Sequence, residues 1–275
     1  VLFWNNVTIR LCICFLMMSL RYLSPSLQKS ISSRSLLKVI AGLNNFDSNS
    51  VIQIAKAACY GGADLLDVAC DPKIVALAAK YSNTPICVSA VDPSLFLDVV
   101  DAGVSIIEIG NFDSFYSQGR FFDAFQVLSI TKETRKLLPD IPLSVTVPHI
   151  LPLDQQSQLA IDLVKAGADL IQTEGGTSAK PLNSGKLGLI EKAAPTLAAA
   201  HEISLVLQDF DRDIPLICAS GLSAVTIPMA FAVGASGVGV GSAVNCLSNQ
   251  LEMIASVKRL KESIPSSKLF SENIF

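Results

Sequence analysis

Charge is scarce in this chain. Only 16% of its 275 residues are Asp, Glu, Lys or Arg, while 50% are hydrophobic. A disordered chain is excluded, because disorder needs low hydrophobicity and high net charge. The balance suits strands buried on both faces, as in a parallel α/β fold. A net charge of −3 supplies no basic surface for nucleic acid. There are two histidines and seven cysteines, with no CxxC pair, so no zinc site is expected and no residue is assigned to a metal. Cys59, Cys87 and Cys218 sit on apolar segments and are expected as reduced core thiols of an intracellular compartment.

Acidic residues are missing altogether before Asp47. That stretch carries Arg10, Arg21, Lys29 and Arg34 and a serine cluster over 24–35. Acid-free, Arg-bearing and Ser-rich is the composition of an organelle transit peptide. The apolar run at 11–20 is too short to span a membrane and is nearer the apolar core of a secretory signal, which is the alternative. The chain opens on Val rather than Met, so a missing or misassigned start is a third reading. The expected organisation is therefore a leader over 1–33, one folded domain over 34–264 and a tail over 265–275, with no membrane role for the domain.

An internal repeat organises the rest. Gly62-Ala63-Asp64, Gly103-Val104, Gly167-Ala168-Asp169 and Gly234-Ala235 each precede a short apolar strand, at 65–69, 106–110, 170–174 and 237–241. In each, a helix-ending glycine leads into the strand. Between these lies a second class opened by Pro85, Pro142 and Pro215, where the missing N–H costs no ladder bond. With 36–40 as the first, the strands number eight. Helical periodicity fills the gaps at 50–60, 72–81, 93–102, 122–138, 154–166, 187–206, 223–233 and 251–264. Eight alternating pairs predict a (β/α)8 TIM barrel. A doubly wound sheet is the alternative, and the fourfold repeat favours closure.

The segment 214–244 supplies the last two strands, each ending in small residues. In such barrels these loops form a phosphate cup. Ser220, Gly221, Ser223, Gly241 and Ser242 are the expected phosphate contacts, with a short helix predicted from Ser242 to add its positive end.

Strand alternation puts Val39, Leu66, Val68, Ile107 and Ile109 toward the helices. Lys38, Asp67, Glu108, Ser144, Thr146, Gln172 and Glu174 then point inward. Buried charges must be paired. One reading is therefore a structural ion-pair network of Lys38 with Asp67 or Glu108. The other makes Lys38 an electrophile or Schiff-base amine, with a carboxylate as general base. Glu174, at a strand end before Gly175 and Gly176, is best placed for proton transfer. Lys38, Asp67 and Glu108 lie deeper. His149 is read either as a general acid or base or as a plain loop residue. Asn44, Asn111, Thr146, Gly175 and Gly176 are the candidate substrate contacts, and Asp113 stands at the same mouth. Asn44 is also a natural turn residue. Lys180 and Lys186 follow strand six, and His201 reads as surface.

The motifs at 38–46, 85–93, 107–113 and 172–175 resemble those of the hypothetical chloroplast reading frame number twenty-three family of plastids and cyanobacteria, over about 36–264. The resemblance implies an aldolase-type TIM barrel and a plastid location, the stroma for an imported copy. It implies no reaction. The last two strand loops are also similar to those of ribulose-phosphate-binding and FMN-binding barrels, although Leu222 stands where a second glycine is usual. Three functions are open: an isomerase, lyase or synthase acting on a small phosphorylated metabolite without a cofactor; an FMN oxidoreductase; or a non-catalytic barrel that binds a metabolite or protein. The sequence fixes no oligomeric state.

Overall fold

Every residue of the strand pattern that points away from the interior is apolar, and this draws the chain into a closed ring. The computed structural model describes residues 20, 23–175, 179–211 and 213–266. In it β1 (Leu36–Ile40), β2 (Leu65–Ala69), β3 (Ile86–Ala90), β4 (Ile106–Ile109), β5 (Leu143–Thr146), β6 (Leu170–Gln172), β7 (Leu216–Ala219) and β8 (Gly237–Val240) form a parallel barrel in chain order. The seam closes where Leu37 pairs with Val238 and Val39 with Val240. Val39, Leu66, Val68, Ile107 and Ile109 all pack outward into the helix layer, as expected.

The interior is graded from end to end. Its floor is apolar: Leu36, Leu65, Cys87, Ile106, Leu170 and Ile217 form one cluster. That cluster includes Leu23 and Leu27, from the segment read as leader. The fold thus begins before residue 34. Helix α1 (Pro25–Ser32) starts at an N-cap Ser24, whose side chain accepts from the Leu27 N–H, with Pro25 in its first turn. It plugs the open end of the barrel, where the floor would otherwise meet water. Residues 1–19, the bulk of the expected leader, and nearly all of the expected tail lie outside the described residues.

The remaining helices are α2 (Ser48–Gly61), α3 (Pro72–Tyr81), α4 (Asp113–Tyr116), α5 (Ala124–Leu137), α6 (Leu153–Lys165), α7 (Gly185–Phe210), α8 (Ile227–Ala232), α9 (Ser242–Asn245) and α10 (Gln250–Glu262). The helix expected at 93–102 is two 3-10 segments, Pro93–Asp98 and Val100–Ala102. The Val99 N–H reaches back three residues to Phe96 O, tightening the turn where two valines and an Asp lower helix propensity. The helix expected from 223 starts only at Ile227, because a Ser223–Thr226 turn comes first.

The Gly-Ala-Asp repeat has a structural purpose. Asp64 accepts the Leu37 N–H at 2.7 Å, tying β2 to β1, and Asp169 accepts the Leu143 N–H at 2.8 Å, tying β6 to β5. Lys261 holds Asp64 and Arg135 holds Asp169.

Candidate functional site at the barrel mouth

Above the apolar floor lies an ionic layer. Lys38 Nζ donates to Glu108 Oε2 at 2.6 Å and to Gln172 Oε1 at 3.0 Å, and lies 3.7 Å from Asp67. Ser144 donates to Glu108, Gln172 Nε2 bridges Glu108 and Thr146, and Ser89 and Asn111 donate to Asp67. Lys38, Asp67 and Glu108 have at most 1% exposure. Burial alone would lower the Lys38 pKa, but Asp67 and Glu108 outweigh it and hold the amine above its usual range. Lys38 is thus held in the ion-pair network that was one of its two readings, and it does not line the cleft. Asp67 and Glu108 belong to the same buried layer, below the cleft rather than on its wall.

The mouth carries a second cluster, built on Glu174. This carboxylate follows β6 and is 4% exposed. Its Oε1 accepts from the Tyr116 hydroxyl at 2.5 Å and the His149 backbone N–H at 3.2 Å, and faces His149 Nδ1 at 3.1 Å. Its Oε2 accepts the Asp113 N–H at 3.4 Å. Asp113 Oδ1 also lies 3.2 Å from His149 Nδ1, and Ser220 donates to Asp113 Oδ2. Burial pushes the Glu174 pKa up, against the hydrogen bonds from His149 and Tyr116. For His149 burial works downward, yet the bonds to Asp113 and Glu174 prevail and raise it to about 9. Burial and the Glu174 charge push the Tyr116 phenol well up.

A cleft of about 210 Å3 opens over both layers. One wall is Asn111, Asp113 and Glu174, with Thr146 and Gln172 at the base; the other is Ser220, Gly221, Gly241 and Ser242. Asn111 (φ 59°) and Ser220 (φ 75°) are held left-handed, the strain that collects at functional loops. Gly221 (φ 74°) follows Ser220 in the same region, where glycine alone sits without strain. The predicted helix at Ser242 is present as α9, and its N-terminus carries no side-chain cap.

Several expected contacts lie elsewhere. Ser223 is not on the cleft wall; it is spent on its turn with Thr226. Asn44 is an exposed turn residue, away from the cleft. Gly175 is buried behind the wall, against Pro195 and Thr196 of α7. Gly176 lies outside the described residues. Lys180, Lys186 and His201 are exposed, and none lines the cleft. Sequence reasoning missed Tyr116. The available signal was its place three residues after Asp113, which puts both on one face of a helical turn.

Over residues 23–270 the chain matches the family described as Protein of unknown function (DUF561). The chain belongs to this family. Its relatives include the protein named Uncharacterized protein ycf23 of Cyanophora paradoxa, 48% identical over 82% of this chain and 90% of the relative. The ycf23 protein of Porphyra purpurea is 38% identical over 92% of this chain and 93% of its own. These relatives are encoded in plastid genomes. Among solved structures, 3-hexulose-6-phosphate synthase matches with a TM-score of 0.56 at 15% identity, covering 84% of this chain and all (100%) of that one. (S)-3-O-geranylgeranylglyceryl phosphate synthase from Thermoplasma acidophilum, solved with sn-glycerol-1-phosphate, matches with a TM-score of 0.55 at 13% identity, over 86% and 97%. Identities this low show a shared fold and nothing more. No helix among the described residues is long and apolar enough to cross a membrane.

Proposed function

We propose that the cleft binds a small phosphorylated metabolite and that Glu174 moves a proton on it, in an isomerase, lyase or synthase reaction carried out in a plastid, in the stroma. One observation carries this reading. The small-residue wall of Ser220, Gly221, Gly241 and Ser242 and the acid–base wall of Asp113 and Glu174 face a single cleft. An anion on the first wall would set the reacting carbon against the second. The uncapped start of α9 offers N–H groups without intrahelical partners. Two solved structures of like fold are named for work on phosphorylated compounds, and the plastid-encoded relatives support the location. An FMN oxidoreductase using the same wall is the alternative, and the FMN in the screen below tests it.

The experiment is a thermal-shift screen of the full chain against phosphorylated metabolites and FMN. A ligand at about 100 times its Kd adds roughly 2.7 kcal/mol, several degrees in Tm. The Gly241→Asp variant should abolish the response, because it sets a carboxylate where the anion sits. An ideal Cβ at Gly241 meets nothing nearer than 3.5 Å, so the fold should survive. Glu174→Gln should keep the fold and lose turnover. A bound ligand with no turnover in any assay, unaffected by Glu174→Gln, would assign the barrel a non-catalytic binding role.

A further inference from the structure

Among the described residues, acids outnumber bases inside the barrel: Asp67 and Glu108 face Lys38 in the buried layer, and Asp113 and Glu174 face His149 at the mouth. Among the described residues lining the cleft there is no lysine or arginine. A phosphate monoester would bring nearly two further negative charges, and the Ser220 hydroxyl on its expected wall already donates to Asp113. Such a ligand needs a positive charge that the side chains of the wall do not supply.

The geometry points to its source: we propose that Asp113, His149 and Glu174 bind a divalent transition-metal ion at the mouth of the barrel. Each offers one donor atom, and the three atoms lie within 4.8 Å of one another. His149 Nδ1 stands 3.2 Å from Asp113 Oδ1 and 3.1 Å from Glu174 Oε1. Donors bound about 2.0–2.2 Å from a metal stand roughly 3 Å apart along the edge of a tetrahedron or octahedron, and the two edges that meet at His149 already have that length. His149 Nδ1 lies between the two carboxylates, where a dication would offset both charges. Three different strand ends supply the ligands, after β4, β5 and β6. The donor set is one imidazole and two carboxylates, which suits Zn2+, Mn2+, Fe2+ or Co2+ better than Mg2+. Tyr116, whose hydroxyl donates to Glu174, orients that ligand from outside. Three protein ligands leave coordination positions open toward the cleft, where the ion would polarise a substrate carbonyl or bridge to a phosphate oxygen.

The role in catalysis rests on the phosphorylated-ligand reading and, with the ion bound, would replace proton transfer by Glu174; the binding of the ion does not rest on that reading. The test is therefore run without any phosphorylated compound. The chelator-stripped full chain is titrated with Mn2+, followed by electron paramagnetic resonance, and with Zn2+, in competition with a chromophoric chelator. One equivalent should bind to the wild type. Asp113→Asn and His149→Asn should each weaken binding by at least about tenfold. Glu174→Gln, which can keep the Tyr116 bond, serves as a third variant should either of those fail to fold by circular dichroism. No binding at millimolar metal, or equal binding in folded ligand variants, would overturn the proposal and leave the phosphate reading standing. Stoichiometric metal binding with no response to any phosphorylated compound would uphold the site and remove that reading.

Discussion

Asp67 shows how a single residue carries an environmental cost. Burial is the main cause of its raised pKa, reinforced by Glu108 and opposed by Lys38, Ser89 and Asn111, and the result lies at about 6 against an ordinary 3.8. The folded chain therefore holds this proton more tightly than the unfolded chain does. The stabilising contribution is complete below about pH 3.8 and is lost as pH rises through about 6. Asp67→Asn removes this dependence. Denaturant unfolding of wild type and variant at several pH values should show the wild type losing up to about 1.4 kcal/mol per pH unit relative to the variant across that window. Parallel curves would show that Asp67 titrates alike in both states. Residue identity and alternation were enough to turn Lys38, Asp67, Glu108 and Glu174 inward. Position along the strand also set Glu174 at the strand end and Lys38 deeper. Which side chains each one meets there depends on how eight strands are staggered around the ring, and no single strand states it.

The elements were legible where pattern is repeated and illegible where one feature has two meanings. Glycine and proline marks located seven of the eight strands, and the first, at 36–40, was read from its apolar run. The serine-rich segment before β1 has the composition of a leader, and that masked the Ser24-Pro25 start signal of α1. What α1 does is visible only from below, where Leu27 closes the floor beside Leu36, Leu65 and Ile106. Leu27 is 1% exposed, so Leu27→Ala should cost about 2–5 kcal/mol. A lower denaturant midpoint with an unchanged m-value would confirm it. An unchanged midpoint would mean that α1 is dispensable to the barrel. In α7, Pro195 sits inside the helix beside Thr196, whose hydroxyl contacts Thr173 and donates to Ala219 O. The helical period hides this tie between β6 and β7, since it is made by a polar residue on a long apolar helix.

At the scale of the whole molecule, closure is the decisive event. Gly237 lies on the seam, and an ideal Cβ there would come within 2.8 Å of the Leu36 Cβ and 2.9 Å of its Cδ2. Gly237→Val must displace a floor residue from its place and should destabilise the chain by about 1–3 kcal/mol, read as a fall in Tm. No fall would mean that the seam yields freely. Closure also builds the axial gradient: apolar floor plugged by α1, ionic middle, acidic mouth facing a small-residue wall. Periodicity, the recurring glycines and the scarcity of charge determined by themselves that this chain forms a (β/α)8 barrel with polar residues inside and two small-residue loops at its end. Those are properties of each segment, set by local backbone preference and by which face must avoid water. Only the tertiary structure decided that Asp113, Tyr116, His149 and Glu174 meet at one point, that Lys38 does not line the cleft, and that Ser223 serves a turn. These residues come from different strand ends, and their distances are set by ring closure and strand stagger, which no local pattern encodes.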